Sequence, residues 1–317
     1  MFIRPTFRFV ADGTTYPFMK ARYWGLVGSF VLSLASIILF FEPGLNLGID
    51  FKGGIVMELQ TKGPADITAL RAALEHANIP AAGLQRFGAA NDVLIRLDAQ
   101  TKEADNQIMQ GRVRETLQAA SPGSKVIRAD VVGGAVSAEL FQNGMLALAL
   151  SLGMILLYIW FRFEWQFAVG AVVTLILDVT KTIGFLVVTR MEFDLVMVAA
   201  ILTIIGYSTN DKVVVYDRMR ENLRKYKTMP LRELIDLSIN ETLSRTIATS
   251  TTVFLAALPL AMFGGASLSA FAWTMLFGIV VGTTSSIFIA APILLLLGEH
   301  RLRRDIALPK APVTKKK

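Results

Sequence analysis

The sequence predicts an α-helical polytopic membrane protein of six transmembrane helices, with one α+β domain inserted between the first and the second. Three observations carry that prediction. Six apolar segments are long enough to cross a bilayer, which takes about 20 residues each. Of the 317 residues 53% are hydrophobic and 18% charged, and the mean hydropathy is +0.52, too apolar for an ordinary soluble domain. Residues 42–138 interrupt the apolar pattern with ten Lys and Arg against eleven Asp and Glu, a near-neutral balance that suits a folded soluble unit.

The first span is placed at Trp24–Phe41, and the others at Leu140–Phe161, Phe167–Thr189, Leu195–Tyr216, Thr246–Phe263 and Ala270–Leu297. The first is expected to be a retained anchor. Its core exceeds the apolar region of a signal peptide, and "FEPGLNLG" offers no small-x-small cleavage site. Orientation follows from Lys and Arg. Nineteen of them fall in the 1–23 segment, the turn at Arg162, the 217–245 loop and the 298–317 tail, and only Arg190 in the short loops opposite. The positive-inside rule then puts both termini in the cytoplasm, with 217–245 a basic cytoplasmic loop between spans within 139–297.

The inserted stretch reads as alternating short elements. "IVMELQ" (Ile55–Gln60) alternates like a strand, and Ala65–Ala77 repeats apolar residues at helical spacing. "LQRFG" and "DVLIRLD" are two strands joined at Ala89–Asn91. "EADNQIMQGRVRETLQAA" is a helix ended by Ser121-Pro122-Gly123, and "KVIRADVVG" a last strand. Strand, helix, strand, strand, helix, strand is the ferredoxin-like split arrangement, with helices on one face of an antiparallel sheet. The charge count puts this domain outside the cytoplasm.

Chemistry is narrowed by what the chain lacks. It has no cysteine, which excludes disulfides, thiolate metal sites and cysteine nucleophiles, and its two histidines, His76 and His300, are too few for a metal cluster. No metal and no cofactor are expected. The basic balance of +7 fits cytoplasmic loops attracted to anionic lipid rather than nucleic acid. "FGGA" (Phe263–Ala266) reads as a tight outer turn, not a phosphate loop, because no helix start with Lys and Ser or Thr follows. Gly278 and Gly282 form a GxxxG, a weak sign of close helix contact.

The informative residues are charges inside the spans. The third span carries Asp178 and Lys181, with Thr174 and Thr182 on roughly the same helical face. In the fourth, Asp211 shares a stripe with Tyr207, Val214 and Arg218, and Asn210 precedes it. The fifth opens with Arg245, Thr249 and Thr252 on one face. Asp211 lies in the cytoplasmic third of its span and Arg245 begins its own at that side, so an ion pair between them is geometrically allowed. A charge at bilayer depth costs a few kcal/mol unless it faces a partner or water. Such groups mark an ion or proton pathway, or else a static ion pair between helices; the hydroxyl-rich faces favour the pathway. Lys212 does not face Asp211, since adjacent helical residues diverge, and is expected to snorkel to the cytoplasmic surface.

Several long motifs, in order along nearly the whole chain, resemble the SecD/SecF family of bacterial protein-export membrane proteins, on its SecF side. "GLNLGIDFKGG" (Gly44–Gly54) is similar to the family's signature after the first span, with Asp50, Phe51, Gly53 and Gly54 at its centre. "FRFEW", "IGYSTNDKVVVYDRMREN", "ETLSRTIATSTT", "FGGASLSAFA" and "GTTSSIFIAAP" match later family stretches. The resemblance implies a six-span half of the RND-type (resistance–nodulation–division) transporter plan in the bacterial inner membrane, with a periplasmic domain. It implies SecD as the other half, the SecYEG translocon with YajC and YidC as associates, and an exported unfolded polypeptide as the load. It implies proton, or in some bacteria sodium, flow as the drive, with Asp211, Arg245 and Asp178 in the pathway and Tyr207, Asn210, Lys181 and Thr249 supporting. The chain departs from the family pattern at Lys52, Lys181 and Lys212, and Leu177 stands where some members have His, so a histidine relay is excluded there. Lys181, one turn from Asp178, is expected to hold that carboxylate ionised and remove it from the titrating set.

No covalent chemistry is expected. Alternatives are an RND-type exporter of small molecules or lipids, a membrane aspartyl protease using Asp178 and Asp211 as a proton-sharing pair, and a purely structural scaffold. The exporter would need a larger outer region, and the protease's Gly-x-Gly-Asp element is absent.

Overall fold

The computed structural model describes residues 14–79, 83–86, 89–98 and 103–297. Arg4 and Arg8 in the first segment, Phe87 and Gly88 of the second expected strand, and the basic tail 298–317 lie outside the described residues. Among the described residues six helices are long and apolar enough to cross a membrane. The first is α1 (Arg22–Phe41). Outside the bundle follow β1 (Asn46–Leu47), α2 (Ile49–Lys52), β2 (Gly54–Gln60), α3 (Ile67–His76), β3 (Gly83–Arg86), β4 (Asp92–Leu97), α4 (Glu103–Ala120) and β5 (Lys125–Val132). Then come α5 (Gly134–Arg162), α6 (Trp165–Thr189), the short β6 (Glu192–Phe193), α7 (Leu195–Lys225), α8 (Leu231–Phe263) and α9 (Gly265–Ser285). A π-helical turn at Ser286–Ala290 joins α9 to α10 (Ala291–Leu297). Pro292 has no N–H and its ring would crowd the carbonyl one turn back, so the wider turn just before it relieves the clash.

Two helices outrun their apolar cores. Residues 217–245, expected as a loop, are mostly helix: α7 continues to Lys225 and α8 starts at Leu231. Side-chain pairing holds these extensions. Arg218 donates to Glu241 at 2.7 Å, Asn222 to Glu241 at 2.6 Å and Arg162 to Asp217 at 2.7 Å. Beneath them Met219, Leu223, Leu231, Leu234 and Ile235 are buried in one cluster. The N-terminal segment docks on the same end, where Met19 N donates to Asp236 at 2.8 Å.

The inserted domain forms one antiparallel sheet in the order β3-β4-β2-β5. Central β2 alternates inward Ile55, Met57 and Leu59 with outward Val56 and Glu58, the period-2 pattern that fixes its register against Leu97, Ile95 and Val93 of β4. Leu70 and Leu74 of α3 and Val113 and Leu117 of α4 close the core on that face. Asp66 caps α3, accepting from Thr68 N at 3.0 Å and Ala69 N at 3.1 Å.

The glycine-rich signature joins this domain to the bundle. β1 pairs in parallel with β6, and Gly48 N donates to Phe193 O at 2.9 Å. Asp50 accepts from Leu195 N at 3.1 Å and Asp194 from Met197 N at 2.9 Å, so two carboxylates serve the N-terminus of α7, where the helix dipole favours negative charge. Burial pushes the Asp194 carboxyl above its ordinary range; the Met197 N–H opposes this and the Asp50 charge adds to it. Phe51 packs between Phe193 and Phe141, with centroids 5.4 and 5.5 Å away. Gly53 (φ 74°) and Gly54 (φ 131°) then turn the chain into β2 through backbone angles that side chains rarely adopt. Arg96 of β4 also meets Glu192 of β6.

Residues 42–138 expressed alone are expected to be soluble and to melt cooperatively, because the core on β2, β4, α3 and α4 uses no residue of the bundle. A circular dichroism spectrum with no cooperative transition would contradict this.

Candidate functional site

Two carboxylates lie inside the bundle. Spacing in the third span put Thr174, Asp178, Lys181 and Thr182 on one face, and all four are buried on α6. Asp178 is 1% exposed. Its Oδ2 accepts from Lys212 Nζ at 2.8 Å, Ser208 Oγ at 2.8 Å and Ser285 Oγ at 2.7 Å. Its Oδ1 meets Lys181 Nζ at 3.3 Å, and Lys181 also donates to Ser29 Oγ of α1 at 3.1 Å. Three helices thus meet at one carboxylate, and α1 joins them through Lys181.

Lys212 does not snorkel. It is 1% exposed and turned into the bundle, where it also donates to Ser208 O at 3.3 Å and sits close against Ser208 Oγ. It diverges from its neighbour Asp211, but toward Asp178 rather than toward the helix end. A carboxylate at this depth demands a counter-charge, and Asp178 on the facing helix supplies the pairing that the water interface would otherwise give. The two glycines of the GxxxG permit the approach. A Cβ on Gly278 would lie 2.4 Å from Ile204, and one on Gly282 3.1 Å from Ser208 Oγ, so α9 lies directly on α7 and Ser285 reaches Asp178.

Asp211, 6% exposed, points away from this cluster. Thr246 Oγ1 of α8 donates to its Oδ1 at 2.8 Å and Ser286 Oγ to its Oδ2 at 2.6 Å. Ser285 and Ser286 are consecutive yet serve different carboxylates, at the point where α9 passes into the π turn, a deformation common at functional sites. One turn along each helix, Tyr207 donates to Ser250 at 2.7 Å, and Ser250 shares a hydrogen bond with Thr283 at 2.7 Å. A second hydroxyl layer therefore stacks on the Asp211 layer.

The expected pairing of Asp211 with Arg245 is not found. Among the described residues no ion pair joins them. Arg245 is exposed, as are Thr249, Thr252 and, on α7, Asn210. Arg245, Thr249 and Thr252 do share a face, but it points out of the bundle. The inward residue is the next one, Thr246, about 100° further round the helix. Thr249 bonds its own helix, at Arg245 O and Thr246 O.

Sequence reasoning singled out the charged groups and missed their neutral partners, Thr246, Ser286, Ser285, Ser208 and Ser29. The signal was present in the hydroxyl runs "RTIATSTT" and "GTTSS", which an apolar span has no reason to carry unless they meet something polar.

With this geometry in view, comparison with known proteins is specific. Residues 112–300 match the family model described as protein export membrane protein SecD/SecF, C-terminal, and residues 38–65 match the SecD/SecF GG motif. A protein translocase subunit SecF of Rickettsia bellii is 41% identical over 300 residues, covering 94% of this chain and 98% of that one. Another, from Cereibacter sphaeroides, is 44% identical over 280 residues, 86% of each. The crystal structure of SecDF, a translocon-associated membrane protein from Thermus thermophilus, superposes with a TM-score of 0.83 at 33% identity over 93% of this chain; that match spans 40% of the longer SecDF chain.

Breaking a buried ion pair by removing one partner costs about 3–5 kcal/mol, since it strands the other. Asp178→Asn and Lys212→Met are each expected to lower stability by that order, and the double variant by clearly less than the sum. Thermal unfolding of the purified chain and its three variants checks this; strict additivity would mean the pair is not coupled.

Proposed function

The chain belongs to the SecD/SecF family of protein-export membrane proteins, and from that premise we propose that it is a SecF-type subunit that acts with SecD to drive late steps of export with the ion gradient. The observation that carries the reading is the polar outer face of α7 and α8. Arg245, Thr249, Thr252 and Asn210 are exposed at bilayer depth, and hydrocarbon is a costly neighbour for a guanidinium. A second six-span subunit with an acidic or polar face, SecD, covers that surface. Arg245 is then an interface residue, one helical position from the Thr246 that binds Asp211.

In this reading the protein lies in the bacterial inner membrane with both termini cytoplasmic, and residues 42–138 form a ferredoxin-like periplasmic domain. The basic end of the bundle and the strand order support both assignments. Asp211 is the group that takes up and releases the ion. The Tyr207–Ser250–Thr283 layer leads toward it from the sheet-bearing side, and moving one charge through 100 mV supplies about 2.3 kcal/mol. Repacking of α7 is carried to the outer domain through Asp50 and Phe51, which hold the N-terminus of that helix. The domain then moves the emerging unfolded polypeptide at SecYEG, with YajC and YidC as associates. No covalent chemistry is involved. The two aspartates have separate partners rather than a shared proton, which speaks against a protease dyad.

Asp211→Asn is expected to leave the complex assembled and abolish gradient-driven export into inverted membrane vesicles; normal export by that variant contradicts the role of Asp211. Arg245→Ala is expected to change the stability of the isolated chain by no more than about 0.5 kcal/mol, as for other exposed sites, yet to weaken co-purification with SecD. Unchanged co-purification would remove Arg245 from the interface.

A further inference from the structure

We propose that the oxygen cage between α6, α7 and α9 is a monovalent-cation site which the chain fills with its own ammonium, that of Lys212. The cage offers Asp178 Oδ2 at 2.8 Å from the nitrogen, the Ser208 carbonyl at 3.3 Å and the Ser208 hydroxyl closer still. Ser285 Oγ completes the shell around the carboxylate at 2.7 Å. A carboxylate, a hydroxyl and a backbone carbonyl at bilayer depth are the ligand types that hold a small hard cation in membrane transporters. An ammonium on a side chain meets the same oxygens but cannot leave. Lys181 stands on the other oxygen of Asp178, braced by Ser29 of α1, so it does not compete for this place.

Charge balance points the same way. The buried ionisable side chains of α6 and α7 are Asp178, Lys181, Lys212 and Asp211, two carboxylates and two ammonium groups. Asp178 pairs directly with both ammonium groups, whereas Asp211 is hydrogen-bonded by the hydroxyls of Thr246 and Ser286 and feels the Lys212 charge without contact. If Asp211 is the coupling group proposed above, Lys212 is the residue that keeps free cations off the neighbouring aspartate and confines ion traffic to one carboxylate.

Removing the tether should open the site. The purified full chain is melted in detergent in sodium chloride, potassium chloride or choline chloride at equal ionic strength. The wild type is expected to show the same midpoint in all three. Lys212→Ala and Lys212→Ser are expected to melt lower in choline and to recover by on the order of 5 °C in sodium or potassium, as a bound ligand stabilises the folded state. Adding Asp178→Asn to either variant is expected to abolish that difference. The proposal is overturned if the wild type itself shows a salt-specific shift lost with Asp178→Asn. It is equally overturned if neither lysine variant distinguishes the salts, or if neither folds in any of them. Export is not measured, so these outcomes are independent of whether Asp211 drives it.

Discussion

A carboxylate cannot lie within a membrane-spanning bundle without partners, and the packing of this bundle is organised around supplying them to Asp178. The residue itself is on α6, its ammonium group and one hydroxyl come from α7, and its second hydroxyl from α9. Those helices must therefore lie within side-chain reach at one level. Gly278 and Gly282 help to allow it, since a Cβ at the first would overlap the Ile204 side chain and one at the second would lie tight against Ser208. Once α9 is held that close, its serine pair sits between the two carboxylates, and the second of the pair reaches Asp211.

The two aspartates then differ in kind. Asp178 has two ammonium partners, Lys181 and Lys212. Asp211 has hydroxyls, and a hydroxyl donates to a carboxylate or accepts from a carboxylic acid simply by rotating. The Asp211 site can therefore meet either form of its carboxyl.

Much of this was legible in the sequence. Long apolar stretches fixed the six spans, and alternation fixed the sheet: α4 was expected at Glu103–Ala120 and is found there, and β2 and β5 differ from expectation by a residue at one end. Apolar length reports the bilayer and not the helix, so the extensions of α7 and α8 beyond it, held by ion pairs, were read as loop. The signature around Asp50 was recognisable as a motif, yet its role as a clamp on α7 depends on β1 meeting β6, a contact across some 145 residues that no local pattern encodes. The site failed at the scale of a single residue. Arg245 and Thr246 are neighbours, and which of the two faces Asp211 is set by the rotation of α8 against α7. The partner of Lys212 likewise depended on which helix lay opposite.

The inserted domain and the bundle are joined where Asp50 and Phe51 hold the start of α7, the helix that also carries Asp211 and Lys212. The central proposal is that Asp211 is the carboxylate of the bundle that takes up and releases a proton. Infrared difference spectra of the purified complex, recorded as the pH is stepped, test it most directly. The account predicts a protonated-carboxyl band that appears in the wild type and in Asp178→Asn and disappears in Asp211→Asn. A band that survives Asp211→Asn and is lost in Asp178→Asn would contradict it.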